Sequence, residues 1–134
     1  MKLIRNALIV GVVLTIFSYL SILLLLKVFP AIFEDYYNPI FISSGLRDLL
    51  FYLHGFVLAL ALAWIWHKTK SLYHGAALIR AFEFGFMYTL TAFIPIFWIT
   101  LSAMDLSLSM IVSWIIYGAI QTIIAGFIFA KIDP

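Results

Sequence analysis

His54 is the residue whose chemistry packing explains least. It lies inside residues 49–67, an apolar run without Lys, Arg, Asp or Glu. An imidazole there can relay a proton, contact a ligand or ligate a cofactor, and an ionisable group within hydrocarbon is a functional candidate by default. The plainer alternative is a neutral histidine hydrogen-bonded to a hydroxyl such as that of Tyr19 or Thr100, since burial demands a partner in every case. Arg47, Phe51 and His54 follow i, i+4, i+7. On a helix the arginine and the histidine therefore share a face, which would line a polar cavity opening outwards.

Arg80 and Glu83 form the second constellation. Three apart on a helix, they can pair. His67, Lys68, Lys70 and His74 would lie nearby, at a rim where long basic side chains reach for water. The sharper reading of this rim is an entrance that recognises an anionic headgroup or substrate. Metal binding by His67, His74 and Glu83 is disfavoured, because neither H-x-x-x-H nor H-E-x-x-H spacing exists, so no metal and no cofactor is expected. Gln121 stands in the middle of the last apolar run, one turn from Tyr117 and near Gly118. Its amide should face other helices and bond one of them. Glu34, Asp35 and Asp48 could hold a cation, although such acids are ordinarily solvated loop residues.

Signatures of enzymes fail throughout. No Gly-rich phosphate loop, no G-x-S-x-G elbow and no Ser/His/Asp set at one depth is present. Haem between helices would need facing histidines, yet His54 and His67 share one span and stand about 20 Å apart along it. With no cysteine, disulfides, thiolate catalysis and Cys-ligated metals are excluded. A net charge of +2 without a basic run gives no footprint for nucleic acid.

The elements that must carry these residues follow from composition. Of 134 residues, 66% are hydrophobic and 10% charged, against roughly 45–50% and about 25% in soluble domains. A chain this small cannot hide so much apolar side chain in its own core. A bilayer's hydrocarbon is the simplest cover, and about 20 helical residues cross its roughly 30 Å. Residues 6–26, 49–67, 84–104 and 106–130 lack Lys, Arg, Asp and Glu. Backbone amides in lipid need partners within the span, and strand-like alternation is absent, so helices are predicted. The expected fold is all-α, one domain over residues 1–134, with spans at about 6–28, 46–67, 76–104 and 106–130 and an outer loop at 30–45, packed as an antiparallel bundle. The start Met1-Lys2-Leu3-Ile4-Arg5 is signal-like, but its apolar run is too long and lacks A-x-A before Pro30, so it reads as a retained span.

Six cations, Lys2, Arg5, Lys68, Lys70, Arg80 and Lys131, fall on one predicted side, and two, Lys27 and Arg47, on the other. This bias puts both termini in the cytoplasm. Trp64 and Trp66 fall near the inner boundary and Tyr52 near the outer one. Asn38-Pro39 predicts turns in the outer loop, with Ser43 or Ser44 capping the second span. Pro95 predicts a kink in the third span by removing the bond to the Thr91 carbonyl.

Small residues recur at four-residue spacing: Gly55, Ala59 and Ala63 in the second span, Gly118, Thr122, Gly126 and Ala130 in the fourth. Gly11, Thr15 and Ser18 in the first and Gly85, Thr89 and Ala92 in the third follow the same habit. Such faces bring helices close, either within the chain or, for the fourth span, against a second copy. Gly75-Ala76-Ala77, then Gly85, then a hairpin with Gly118 and Gly126 resembles small four-span bacterial inner-membrane families of unknown function. The likeness covers the last two spans best; it implies fold and location, not an activity. The first span lacks the glutamate of small multidrug exporters, and the Thr-Thr-Phe-Ser signature of four-span fluoride channels is missing. The expected role is a small non-enzymatic structural or accessory subunit, alone, as a homo-oligomer or with a membrane partner. A transporter or channel running from Arg47 and His54 to Arg80 and Glu83 is the alternative, and an enzyme on lipid headgroups the third.

Overall fold

The computed structural model describes residues 2–39, 41 and 44–134, with the backbone alone for residues 33 and 35. Among the described residues the chain is all-helical. Four helical rods are long and apolar enough to cross a membrane. The first is α1 (Lys2–Val28); the second is α3 (Gly45–Thr69), prolonged by a 3₁₀ turn, Lys70–Leu72. The third combines α4 (Ala77–Tyr88) and α5 (Ile94–Ala103), and the fourth is α6 (Leu108–Ile132). A short helix, α2 (Pro30–Glu34), and a 3₁₀ turn, Asp35–Tyr37, follow α1 in what was expected to be irregular loop.

Each rod is 25 to 28 residues long, about 40 Å at about 1.5 Å per residue. All exceed the hydrocarbon thickness, so their ends stand in the interface. This is why α1 begins at Lys2 rather than at residue 6: nothing in its first turn breaks a helix, and its cations fall where headgroups would be. Between 17% and 33% of each rod's most apolar stretch is buried inside the chain. The remainder of that surface is side chain for which only hydrocarbon is a good solvent.

The helices pack as two hairpins. In the first, α1 meets α3 where both lack side chains: Gly11 lies under the Phe56 ring, and Gly55 lies against Thr15 and the Gly11 carbonyl. The Thr15 hydroxyl donates to Gly11 O at 2.9 Å and reaches Tyr52 O across the interface at 3.4 Å. In the second hairpin Gly126 lies against Ala81 and Phe84, Gly85 against Ile123, and Gly118 against Phe93. The small residues of the fourth span are thus occupied within the chain: Gly118, Thr122, Gly126 and Ala130 are buried. Gly55, Ala59 and Ala63 are buried likewise. The face once available to a second copy through the fourth span is not free.

Pro95 does not simply bend the third rod. Residues Thr89–Phe93 ahead of it form a π turn, with the Ile94 amide donating to Thr89 O. A ring at position 95 collides with the i−4 carbonyl of a regular helix, and widening the turn removes that collision while keeping the rod continuous. The wider turn also sets Phe93 over Gly118.

One end of the molecule carries both chain termini, and there the hairpins are joined. Trp66 (1% exposed) stacks on Tyr73 at 5.5 Å, meets Phe84 edge-on at 5.3 Å and lies tilted against Phe129 at 6.0 Å. Its indole nitrogen donates to Asp133 O at 3.0 Å, and Lys70 pairs with the Asp133 carboxylate at 2.8 Å. Trp66 is therefore buried in the core at this end, whereas Trp64 is exposed. At the other end, Ser107 caps α6 by accepting from the Met110 amide at 3.1 Å. Ser44 holds the N-cap position of α3 but its side chain makes no capping bond, and Ser43 lies outside the described residues.

Candidate functional site

Below the join the hairpins part. The α1 and α6 helices touch through the middle of the molecule and then separate towards the end opposite the termini. The last contact before they separate is polar. The Ser18 hydroxyl donates to Leu14 O at 2.8 Å, which leaves Tyr117 as donor in the 2.5 Å contact between Tyr117 Oη and Ser18 Oγ. Gln121 Nε2 donates to Tyr117 Oη at 2.9 Å and to Ser18 Oγ at 3.3 Å. The Phe17 ring stacks on Tyr117 at 5.6 Å. Ser18 and Gln121 are 4% and 1% exposed, so this bridge between α1 and α6 works in a dry environment where an unmade bond is costly.

Beyond the bridge lies a cavity of ≈ 630 Å³. Its walls are Ser18, Ser21, Ile22 and Leu25 on α1 and Ser113, Ile116, Tyr117 and Ile120 on α6, with Phe51 of α3 entering from the side. An aromatic cluster stands at the mouth of the far end. Trp114 donates its indole N–H to Tyr36 Oη at 2.6 Å, and Phe41 stands edge-on to Trp114 at 6.2 Å. The short elements after α1 thus form one rim of the mouth, which hydropathy alone does not reveal.

A second, smaller cavity of ≈ 70 Å³ lies at the termini, lined by Lys2, Asn6, Trp66, His67 and Asp133 among others. Asn6 is buried there at 3% exposure and accepts from the Arg5 guanidinium at 3.3 Å. Nearby, burial pushes the Tyr73 phenol above its ordinary 10.0, and the phenol donates to Thr69 Oγ1 at 3.1 Å.

The residues with candidate chemistry fall apart in space. Of Arg47, His54, Arg80, Glu83 and Gln121, none lines either cavity. Arg47 and His54 are exposed on α3, and neither Tyr19 nor Thr100 bonds the imidazole; Thr100 donates to Ile96 O instead. The expected Arg80–Glu83 pair does not form. The guanidinium lies 5.1 Å over the Trp66 ring, and the only ion pair among the described residues is Lys70–Asp133. The ring face attracts the cation, and Trp66 is fixed by its core packing, but the buried Arg80 Nε is left without a hydrogen-bond partner among the described residues. Among the described residues no three His, Asp or Glu side chains come together as a metal site. Neither of these two cavities runs from His54 to Arg80 or opens at Arg80 and Glu83.

Neither a family model, nor a curated protein, nor a solved structure matches the chain. What sequence reasoning missed is the partnership of Gln121. Ser18 was legible as a small residue on a packing face and Tyr117 as the i−4 neighbour of Gln121. The signal that joins them is that both are hydroxyls in otherwise apolar runs.

Proposed function

We propose that this chain is a non-catalytic structural or accessory subunit of a bacterial inner membrane, an antiparallel four-span bundle with both termini in the cytoplasm. The single observation that carries the reading is His54. It lies about 10 Å beyond Arg47 along α3, exposed on the outside of the chain and without a hydrogen bond to any described residue. An imidazole facing lipid tails at that depth is unfavourable by several kcal/mol unless something bonds it. Because the chain does not, a neighbouring subunit is the natural source, either a second copy or a membrane partner. The flanking surface, Val57, Leu60 and Trp64, is large, apolar and exposed, as an intersubunit face would be.

Orientation rests on charge. Lys2, Arg5, Lys68, Lys70, Arg80 and Lys131 belong to the end that carries both termini, against Lys27 and Arg47 at the other, and cytoplasmic loops hold the excess of basic residues. The likeness of Gly75-Ala76-Ala77, Gly85, Gly118 and Gly126 to small inner-membrane families points the same way. The test exploits the absence of native cysteine. Val57→Cys, one turn from His54, should crosslink in native membranes, and His54→Leu should weaken that crosslink. A chain that stays strictly monomeric in lipid, with nothing crosslinked at Val57→Cys, refutes the proposal.

A further inference from the structure

We propose that the cleft between α1 and α6 holds one acyl chain of a phospholipid, drawn from the leaflet at the end opposite the termini. This goes beyond the subunit reading and uses a different face, since His54 does not line the cleft.

Length comes first. The walls run from Phe17 to Leu25 on α1, continue through Phe29 and Ile32 beyond it, and run from Ser109 to Ile120 on α6. The α6 wall rises about 16 Å, which is half of a hydrocarbon core of roughly 30 Å. The cleft is therefore one leaflet deep, with the Ser18–Tyr117–Gln121 bridge as its floor near the midplane.

Width comes next. A volume of ≈ 630 Å³ over about 16 Å leaves a mean cross-section of roughly 40 Å². A flexible hydrocarbon chain one leaflet long fits this slot, whereas a transmembrane helix of a second copy would run the full hydrocarbon thickness, about twice its depth.

Chemistry decides the class. Most polar groups on the walls are already bonded within the protein. Ser18 donates to Leu14 O, Ser113 donates to Met110 O at 2.7 Å, Ser109 contacts Ser107 at 3.0 Å, and Trp114 donates to Tyr36. Beside the hydroxyl of Ser21, which bonds no described residue, what faces the cleft is the carbon of Ile22, Leu25, Ile116 and Ile120. An ion, a sugar or a peptide backbone finds few partners there and loses its hydration, whereas an alkyl chain needs none. The Tyr36–Trp114 pair at the mouth supplies the amphipathic rings that settle at headgroup depth.

The experiment reconstitutes the full chain into phosphatidylethanolamine–phosphatidylglycerol vesicles, re-extracts it in detergent and reads retained lipid by native mass spectrometry. One phospholipid per chain is expected, with retention falling at least tenfold in Ser113→Phe, which fills the slot. No retained lipid in the unaltered chain, or equal retention in Ser113→Phe, overturns the inference. A second measurement avoids any question of whether Ser113→Phe folds. In Trp64→Phe/Trp98→Phe only Trp66, buried, and Trp114 remain. Vesicles with brominated acyl chains should then quench Trp114 by more than half, and unchanged emission overturns the inference. A monomer that retains lipid sinks the subunit reading alone; an oligomer with a dry cleft sinks this one alone.

Discussion

Replacing Gly55 by alanine tests how tightly the first hairpin is closed. A methyl group at this position would lie 2.7 Å from Thr15 Oγ1, 3.1 Å from Thr15 N and 3.4 Å from Gly11 O. The hydroxyl can rotate away only by giving up its 2.9 Å bond to Gly11 O, and the amide nitrogen is backbone and cannot rotate at all. The whole of α1 must therefore withdraw by a few tenths of an ångström. That withdrawal loosens Val10, Leu14 and Ala59, each fully buried at 0% exposure. Overpacking of this kind costs about 1–3 kcal/mol, which lowers the folded-to-unfolded ratio by roughly 5- to 150-fold. Gly45→Ala is the control, because a methyl there meets nothing within 4 Å, and surface changes of that sort stay within about 0.5 kcal/mol. Reversible unfolding of the two variants in mixed micelles, titrated with a denaturing detergent and followed by helicity, compares them directly. Equal midpoints for Gly55→Ala and Gly45→Ala would show that α1 and α3 are not in backbone contact, and the reasoning would fail.

Three further outcomes are expected. Gln121→Leu should lose about 0.6 kcal/mol and no more than roughly 1.7, typical of interhelical hydrogen bonds in membranes, because Ser18 and Tyr117 keep their mutual bond; a double-mutant cycle with Ser18→Ala should give a coupling of the same size, and zero coupling would contradict the bridge. Asp133→Asn removes the partner of Lys70, whose side chain is 29% exposed against 23% for Asp133, so the loss should stay below about 1 kcal/mol and shrink with added salt. The Tyr73 phenol is held above its ordinary value by burial, so the unfolded chain releases this proton first; stability should fall as pH rises past 10, and Tyr73→Phe should flatten that part of the profile.

Much of the architecture was legible in the amino-acid chain because hydrocarbon imposes a length and a polarity on every span. Residues 6–26 and 106–130 are apolar enough to mark α1 and α6 without further information, and the helical ends differ from the expected ones only by a few residues. The small residues Gly55, Gly85, Gly118 and Gly126 were legible as packing positions, since a missing side chain can serve only a close approach. Their partners were not, because spacing along one helix says nothing about which helix faces it. The π turn before Pro95 and the rim at Tyr36 escaped for a related reason. A proline announces a collision but not how the neighbours relieve it, and a short polar segment folds where distant aromatics such as Trp114 wait for it.

The candidate site was the least legible part. His54, Arg47, Arg80 and Glu83 stood out by residue type, yet type carries no direction, and the structure turns His54 outwards and lays Arg80 on Trp66. Composition alone determined that the chain is four apolar helices too long and too greasy for water, because the free energy of apolar surface adds up locally, residue by residue. Only tertiary structure decided that α1 and α6 part below Ser18, Tyr117 and Gln121 to leave a cleft, because a cavity is a property of the distance between elements and no single element contains it.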